Sequence, residues 1–447
     1  DVFTNNGVAE AVNGAILDIS ATSWTNSAAG TVRAVGAGST LTLGGAWSNA
    51  GAIEVTNGTL NLGGTFATAS LSGLSRTGGA VNITGAMDNT GGTLALNAAT
   101  GTLVLSGGSI TGGTATESGG ARLGFSSSTN NALIGVTVQG AGEFSASSAR
   151  VRLRNGSVFT GDVTLSGSNS VLAYEQTASL ASGRSVIFDA ATSGGKFLSI
   201  EGANTLTIDA GATVRGRNGT IRGSLLVGGS VQTLVNNGLV SSDFNGPGVD
   251  IESIELFTNN GVVEAINGST GSVAADSWSN GAAGTLRANG AGSTLTLGGD
   301  WSNAGTLEVT DGTLNLGGTF ASTSVSGLSR TGGTVNITGA MDNAGETLAI
   351  NAGTGTLVLS GGSITGGTAT ESGGSRLAFS ANGANALVGV TVQGTGDFSA
   401  NSARVRLRSG SSFTEDVTLS GSSSVLGYEQ TASLTSGRTV HFDTATS

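Results

Sequence analysis

The feature that most constrains this chain is a long tandem repeat. Residues 1–193 align with residues 255–447 without a gap, at a constant spacing of 254 positions, and the segment 194–254 has no second copy in the 447-residue sequence. Such a long period indicates an array of repeated units, each of which packs mainly on its neighbours. The sequence predicts a first unit, residues 1–254, and a second, incomplete unit, residues 255–447, continuous with it. We expect the chain to be part of a longer array.

A shorter period lies inside each unit. A large apolar residue followed by polar residues and glycine occurs at Phe3, Trp24, Trp47, Phe66 and Met87, at steps of 21, 23, 19 and 21 residues. Four-residue alternating segments such as TLTL, AIEV and TLNL recur within each step, and NG, DG or GG pairs separate them. Alternation of apolar and polar residues predicts half-buried strands, and the glycine pairs predict turns. No segment carries a sustained helical spacing.

Short strands in coils of 19–23 residues predict an all-β chain folded as a right-handed parallel β-helix, or β-solenoid, with about 12 coils per 254-residue unit. Ile53, Val55, Leu60 and Leu62 are predicted to face inward. An array of β-sandwich domains is the alternative, but sandwiches pair their strands antiparallel. The aromatic residues that begin successive coils are predicted to stack as structural coil corners: Trp24, Trp47, Phe66, Trp278, Trp301 and Phe320.

Differences between the two copies follow the same alternation. Ile53 becomes Leu307, which nearly conserves side-chain volume, as cores tolerate best. Ala46 becomes Asp300 at a predicted outward position, where a charge stays in water. The positions that change polarity are therefore those predicted to be exposed.

Composition narrows the class of protein. The net charge is −11 and the pI about 4.5, which argues against nucleic-acid binding, because such proteins carry a basic surface. Cysteine is absent, so disulfides and thiolate metal sites are excluded. No apolar run approaches the 18 residues of a membrane span, and no signal peptide is recognisable. We expect an extracellular or cell-surface location.

Two motifs are characteristic: W-x-N-x-G-x-φ-x-φ (φ being apolar), at Trp47 and Trp301, and N-G-T-L-x-L-x-G, which begins at Asn57 and is repeated with Asp311 in place of the asparagine. They resemble the passenger regions of bacterial autotransporters and filamentous-haemagglutinin-like adhesins. The resemblance implies a β-solenoid, secretion, display on the cell surface, and adhesive or structural roles. It implies no particular activity, because the motifs belong to the solenoid itself. Neither a haemagglutinin-type secretion domain nor a translocating barrel is recognisable.

Catalytic chemistry is not expected. Polysaccharide-active β-helices need clustered carboxylates, but acids such as Glu54, Glu117 and Asp189 are scattered, and the single histidine, His441, aligns with Ile187. Calcium-binding G-G-x-G-x-D repeats are absent. We expect no enzyme activity, no cofactor and no metal, and a polysaccharide-active enzyme is the least favoured alternative.

The sharpest local feature is the repeated segment ARVRLR. In a strand its arginines share one face and its Val and Leu residues share the other. They are predicted to form an anion-binding or lateral-contact stripe for acidic glycans or a neighbouring chain, or else to pair with carboxylates on adjacent coils, such as Glu143 or Asp162. The six arginines are Arg150, Arg152, Arg154, Arg404, Arg406 and Arg408.

Some aromatic residues have alternative interpretations. The tryptophans at coil corners could instead be platforms that stack on carbohydrate, and Tyr174 and Tyr428 are surface candidates. Together the sequence predicts a structural or adhesive filament that associates with itself end to end or laterally. The alternative is a surface adhesin that binds a specific glycan or protein on other cells.

Overall fold

The chain is all-β. In the computed structural model, which describes residues 1–228, 231–434 and 437–443, parallel strands stack in a solenoid of about 20 turns with almost no helix. This confirms the predicted fold class. The alternative of antiparallel sandwich domains is wrong, because neighbouring strands are paired in parallel.

The strands are short and follow one another closely along the chain. In order they are Val2–Asn5, Val8–Val12, Ile16–Ile19, Ser23–Asn26, Thr31–Val35, Thr40–Leu43, Ala46–Asn49, Ala52–Thr56, Thr59–Leu62, Thr65–Ala67, Leu74–Thr77, Ala80–Ile83, Ala86–Asp88, Thr93–Leu96, Leu103–Leu105, Ser109–Thr111, Thr114–Glu117, Leu123–Phe125, Ala132–Ile134, Thr137–Gln139, Arg150–Arg154, Val158–Phe159, Val163–Leu165, Val171–Tyr174, Ala178–Leu180, Ser185–Phe188, Lys196–Ile200, Thr205–Ile208, Thr213–Gly216, Gly219–Gly223, Thr233–Asn236, Leu239–Ser242, Gly246–Glu252, Leu256–Asn259, Val262–Ile266, Ser269–Ala274, Ser277–Asn280, Thr285–Asn289, Thr294–Leu297, Asp300–Asn303, Thr306–Thr310, Thr313–Leu316, Thr319–Ala321, Leu328–Thr331, Thr334–Ile337, Ala340–Asp342, Thr347–Ile350, Leu357–Leu359, Ser363–Thr365, Thr368–Glu371, Leu377–Phe379, Ala386–Val388, Thr391–Gln393, Arg404–Arg408, Ser412–Phe413, Val417–Leu419, Val425–Tyr428 and Val440–Phe442.

Two single turns of 3-10 helix, Thr68–Leu71 and Ser322–Val325, interrupt the strands at equivalent positions of the two copies. Neither of these two helical turns, the only ones in the described part of the chain, is long enough to cross a membrane.

Contacts divide the chain into two compact units. One comprises Asp1–Leu206 with Asn218–Gln232, and the other comprises Thr207–Arg217 with Thr233–Ser447. The division of the sequence into 254-residue repeats stays a prediction. Residues 229–230, 435–436 and 444–447 of the predicted repeats lie outside the described residues.

The strand register explains the short period. Trp24 lies opposite Trp47, Thr65 opposite Ala46, and three consecutive residues from Thr65 pair with Ala86 and its successors. These partners are 23, 19 and 21 residues apart, which are the steps predicted from the sequence. One coil of the solenoid therefore corresponds to one step of the repeat.

Alternation along each strand sets the core. The predicted inward residues Ile53, Val55, Leu60 and Leu62 have at most 1% of their surface exposed, whereas their alternate neighbours are partly exposed. The substituted outward position Asp300 is exposed, as expected. Apolar side chains thus fill the interior at these strands, and a charge at an outward position such as Asp300 does not disturb them.

Candidate functional site

The predicted corner aromatics form internal columns. In the first copy Trp24 stacks on Trp47 with ring centroids 5.7 Å apart, and Trp47 stacks on Phe66 at 4.6 Å. The Nε1 atom of Trp47 donates a hydrogen bond to the Gly63 carbonyl at 2.9 Å. The equivalent contacts of the second copy join Trp278, Trp301 and Phe320 at 5.5 and 4.5 Å. All of these side chains are buried, so none of them presents a ring face to a carbohydrate.

An asparagine ladder lies in the same strands as the aromatic column. Asn5 donates from Nδ2 to Oδ1 of Asn26, and Asn26 donates in the same way to Asn49, each at 2.7 Å. Asn49 ends the series by donating to the Ser70 carbonyl at 3.0 Å. Buried amides are tolerated because each one bonds to the next. The sequence shows these residues as the N of each S-N or T-N pair, but their inward orientation was not predicted.

The two copies differ where a hydroxyl side chain meets a further buried asparagine. Thr68 Oγ1 donates to Asn89 Oδ1 at 2.7 Å. The second copy has Ser322 and Asn343 at these positions, and Asn343 Oδ1 is buried without a partner. The β-branched threonine has fewer accessible χ1 rotamers than serine, whose hydroxyl is freer to turn away from the amide.

We expect Ser322→Thr to raise the free energy of unfolding by about 1 kcal/mol, because it supplies the missing bond to Asn343. The reverse substitution in the first copy, Thr68→Ser, is the control and should lower the free energy of unfolding by a similar amount. Urea unfolding followed by far-ultraviolet circular dichroism measures both. Unchanged midpoints in the two variants would contradict the assignment.

The first arginine stripe points outward from the strand Arg150–Arg154, while Val151 and Leu153 are buried. Arg154 is bidentate to Glu175, with Nε and Nη2 at 2.7 and 2.8 Å from the carboxylate oxygens. Arg152 Nη1 is 3.4 Å from the same carboxylate. The expected partners Glu143 and Asp162 are wrong: the partner is Glu175, which follows the strand paired directly with the stripe.

The second stripe repeats this arrangement. Arg408 Nε lies 2.6 Å from Glu429, Arg406 lies 3.7 Å from it, and the Nε of Arg404 donates to the Ser402 carbonyl. Each stripe therefore combines three guanidinium groups with one carboxylate. The remaining positive charge suits a weak anion or lateral contact, and exposed ion pairs of this kind add little stability.

Tyr174 is not a surface residue, contrary to the expectation, because its side chain points into the interior beside Leu153 and only 7% of it is exposed. Burial raises the pKa of Tyr174 to about 12. Tyr428, at the equivalent position of the second copy, is 47% exposed. Tyr174 is covered on its other side by Ile200, its partner in the next strand.

The buried Tyr174 predicts a pH dependence. An unfolded tyrosine titrates near pH 10, so the folded state holds the proton more strongly. The protonated Tyr174 stabilises the folded state fully below pH 10. This stabilisation is lost as the pH rises towards 12, so the free energy of unfolding falls by about 2–3 kcal/mol over that range. Tyr174→Phe should remove this part of the decline and Tyr428→Phe should not. If the free energy of unfolding depends on pH identically in the wild type and in Tyr174→Phe, the predicted role of Tyr174 is contradicted.

The sequence analysis did not predict that the side chains of two glutamates, Glu117 and Glu371, are buried and bind backbone N–H groups. Glu117 accepts hydrogen bonds from the backbone N–H groups of Leu123 and Ala141 at 2.9 and 3.0 Å, and Arg122 pairs with it at 3.0 Å. Glu371 has the equivalent bonds in the second copy. The usable signal was that TATESGG occurs in both copies, so that an acid is retained between two glycine pairs.

Another feature that the sequence analysis did not predict is an arginine opposite a buried residue of the neighbouring strand. Arg76 lies opposite Val55, and its guanidinium donates to the carbonyls of Thr102, at 2.6 Å, and of Gly79. Burial lowers the pKa of Arg76. Arg330 makes the same contacts in the second copy. Each arginine therefore satisfies backbone carbonyl groups of its own turn and of the next coil.

Within residues 1–228, 231–434 and 437–443, no three His, Asp or Glu side chains come together in a group that could hold a metal ion. His441 is exposed on a strand where it pairs with Thr418.

No protein-family model matches the chain, and no curated protein or solved structure matches it either.

Proposed function

We propose that the protein is an extracellular structural or adhesive filament, built of tandem 254-residue β-solenoid units that stack end to end. The resemblance of its two repeat motifs to bacterial autotransporter passengers and haemagglutinin-like adhesins is the ground for proposing display at the cell surface. The fold supports a mechanical role, because a stack of coils joined by backbone ladders extends by adding further coils. Self-association is the principal partner interaction that this proposal requires.

One observation carries the stacking proposal. The strand Leu256–Asn259, near the start of the second predicted repeat, pairs in parallel with Thr233–Asn236 of the first repeat and with Ser277–Asn280. The asparagine ladder continues across the same boundary, since Asn236 donates to Asn259 and Asn259 donates to Asn280, each at 2.7 Å. These contacts support end-to-end stacking of units, because a coil of the first predicted repeat covers the start of the second.

Negative-stain electron microscopy tests the proposal. We expect the wild type to form fibres longer than one chain, because coils add to a solenoid through the same backbone ladders that join coils within it. Wild-type particles no longer than one chain would contradict the stacking proposal.

A surface adhesin with a specific glycan- or protein-binding site is the second candidate. The two arginine stripes favour it, because each leaves guanidinium groups that no carboxylate neutralises. Binding through these stripes should weaken as salt is raised.

A further inference from the structure

A polar groove lies on the outer surface of three successive coils in the second compact unit. Its volume is about 420 Å3, within the range of about 300–1,000 Å3 that is usual for small-ligand sites. Three asparagines line it at consecutive turns: Asn245, Asn267 and Asn289. Because adjacent coils are about 4.8 Å apart, one extended ligand can contact all three side chains.

These amides are positioned differently from those of the buried ladder. Asn245 and Asn289 are exposed, and neither side chain has a hydrogen-bond partner in the described part of the chain. Asn267 is fixed, since its Nδ2 donates to the Asp243 carbonyl at 3.2 Å, which leaves its Oδ1 as an acceptor. Each carboxamide places a donor and an acceptor side by side, as hydroxyl-bearing ligands require.

Charge in the groove is balanced. Glu264 and Arg287 both line it, and Arg287 Nε lies 2.7 Å from the Glu264 carboxylate. Glu264 also accepts a hydrogen bond from Ser241 Oγ at 2.6 Å. The one acid and the one base therefore neutralise each other, so the lining favours a neutral ligand over an anion or a cation.

The first copy serves as an internal comparison. Val35 stands at the position of Asn289 and Val12 at that of Ile266, whereas Asn267 is retained as Asn13. The ion pair is retained as Glu10 and Arg33. The solenoid motif therefore does not require the amide of Asn289.

We propose that this groove binds a neutral oligosaccharide, whose hydroxyl groups hydrogen-bond to Asn245, Asn267 and Asn289. The ion pair of Glu264 and Arg287 forms the groove wall, and Ile266 supplies apolar contact to the sugar ring. This function does not require filament formation, and it identifies a site separate from the arginine stripes.

The test is binding of the intact chain to an array of neutral and acidic oligosaccharides, followed by calorimetric titration with the best neutral one. We expect Asn289→Val to weaken that affinity about tenfold, the effect of losing one hydrogen bond. This variant should fold, because the first copy accommodates valine at the same position. Asn245→Ala combined with Asn289→Val should weaken binding further.

Asn6→Ala is the control, since Asn6 is exposed and lies outside the groove, and it should leave affinity unchanged. Absence of binding to every neutral oligosaccharide would overturn the proposal. So would preference for acidic oligosaccharides, or equal affinities of the wild type and Asn289→Val. Titration of single chains separated from fibres keeps a failure of binding distinct from a failure of stacking.

Discussion

Trp301→Ala is expected to lower the free energy of unfolding by about 3–5 kcal/mol, the usual cost of truncating a large buried aromatic residue. Trp301 is 5% exposed and is stacked between Trp278 and Phe320. Its Nε1 atom also donates to the Gly317 carbonyl at 2.9 Å. The variant therefore leaves a cavity, breaks the column on both sides and orphans a carbonyl group.

Two further variants divide this loss into its parts. Trp301→Phe keeps an aromatic ring in the column but removes the Nε1 donor. We expect it to lower the free energy of unfolding by slightly more than the roughly 1 kcal/mol of one hydrogen bond, because the smaller ring also packs less well. Tyr428→Ala, at an exposed aromatic residue, should cost less than about 1 kcal/mol. Urea unfolding and hydrogen exchange measure the changes. A loss below 1 kcal/mol for Trp301→Ala would show that the column contributes little.

Gly64→Ala is expected to be nearly as damaging, at about 4 kcal/mol. Gly64 has a φ of 61°, and a Cβ atom built on it would lie 1.8 Å from the Gly45 carbonyl oxygen in the coil below. The left-handed conformation alone costs about 1–2 kcal/mol for alanine, and overpacking adds up to about 3 kcal/mol. Relief of the clash requires the coils to separate, which breaks backbone ladders as well.

Gly91→Ala separates the two causes. Gly91 also has a positive φ, of 68°, but nothing lies within 4 Å of a Cβ atom placed there. This control should cost only the conformational term of about 1–2 kcal/mol. Equal losses in Gly64→Ala and Gly91→Ala, measured by thermal and urea unfolding, would show that close coil contact is not what requires glycine at position 64.

The sequence predicted the coil because each feature of the coil repeats. Alternation placed Ile53 and Val55 inward, and the aromatic steps set the register, since both depend on local spacing. Features that depend on which coil lies next could not be predicted. Glu175 as the partner of Arg154, and the burial of Tyr174 between Leu153 and Ile200, are set by residues in adjacent coils and not by the local segment. The amide groove escaped notice because asparagine in a turn usually indicates only the turn.

The strand register also bears on how quickly such a chain folds. Partners such as Trp24 and Trp47 are 23 residues apart, and others are 19 or 21 apart, so nearly all contacts close loops of similar, short length. For the 447-residue chain this gives a relative contact order of about 0.05, below the roughly 0.07–0.12 of helical bundles. Although the protein is made of strands, by this measure its folding is local. Loop closure costs about the same at every coil, so structure can nucleate at one coil and spread to the next in either direction.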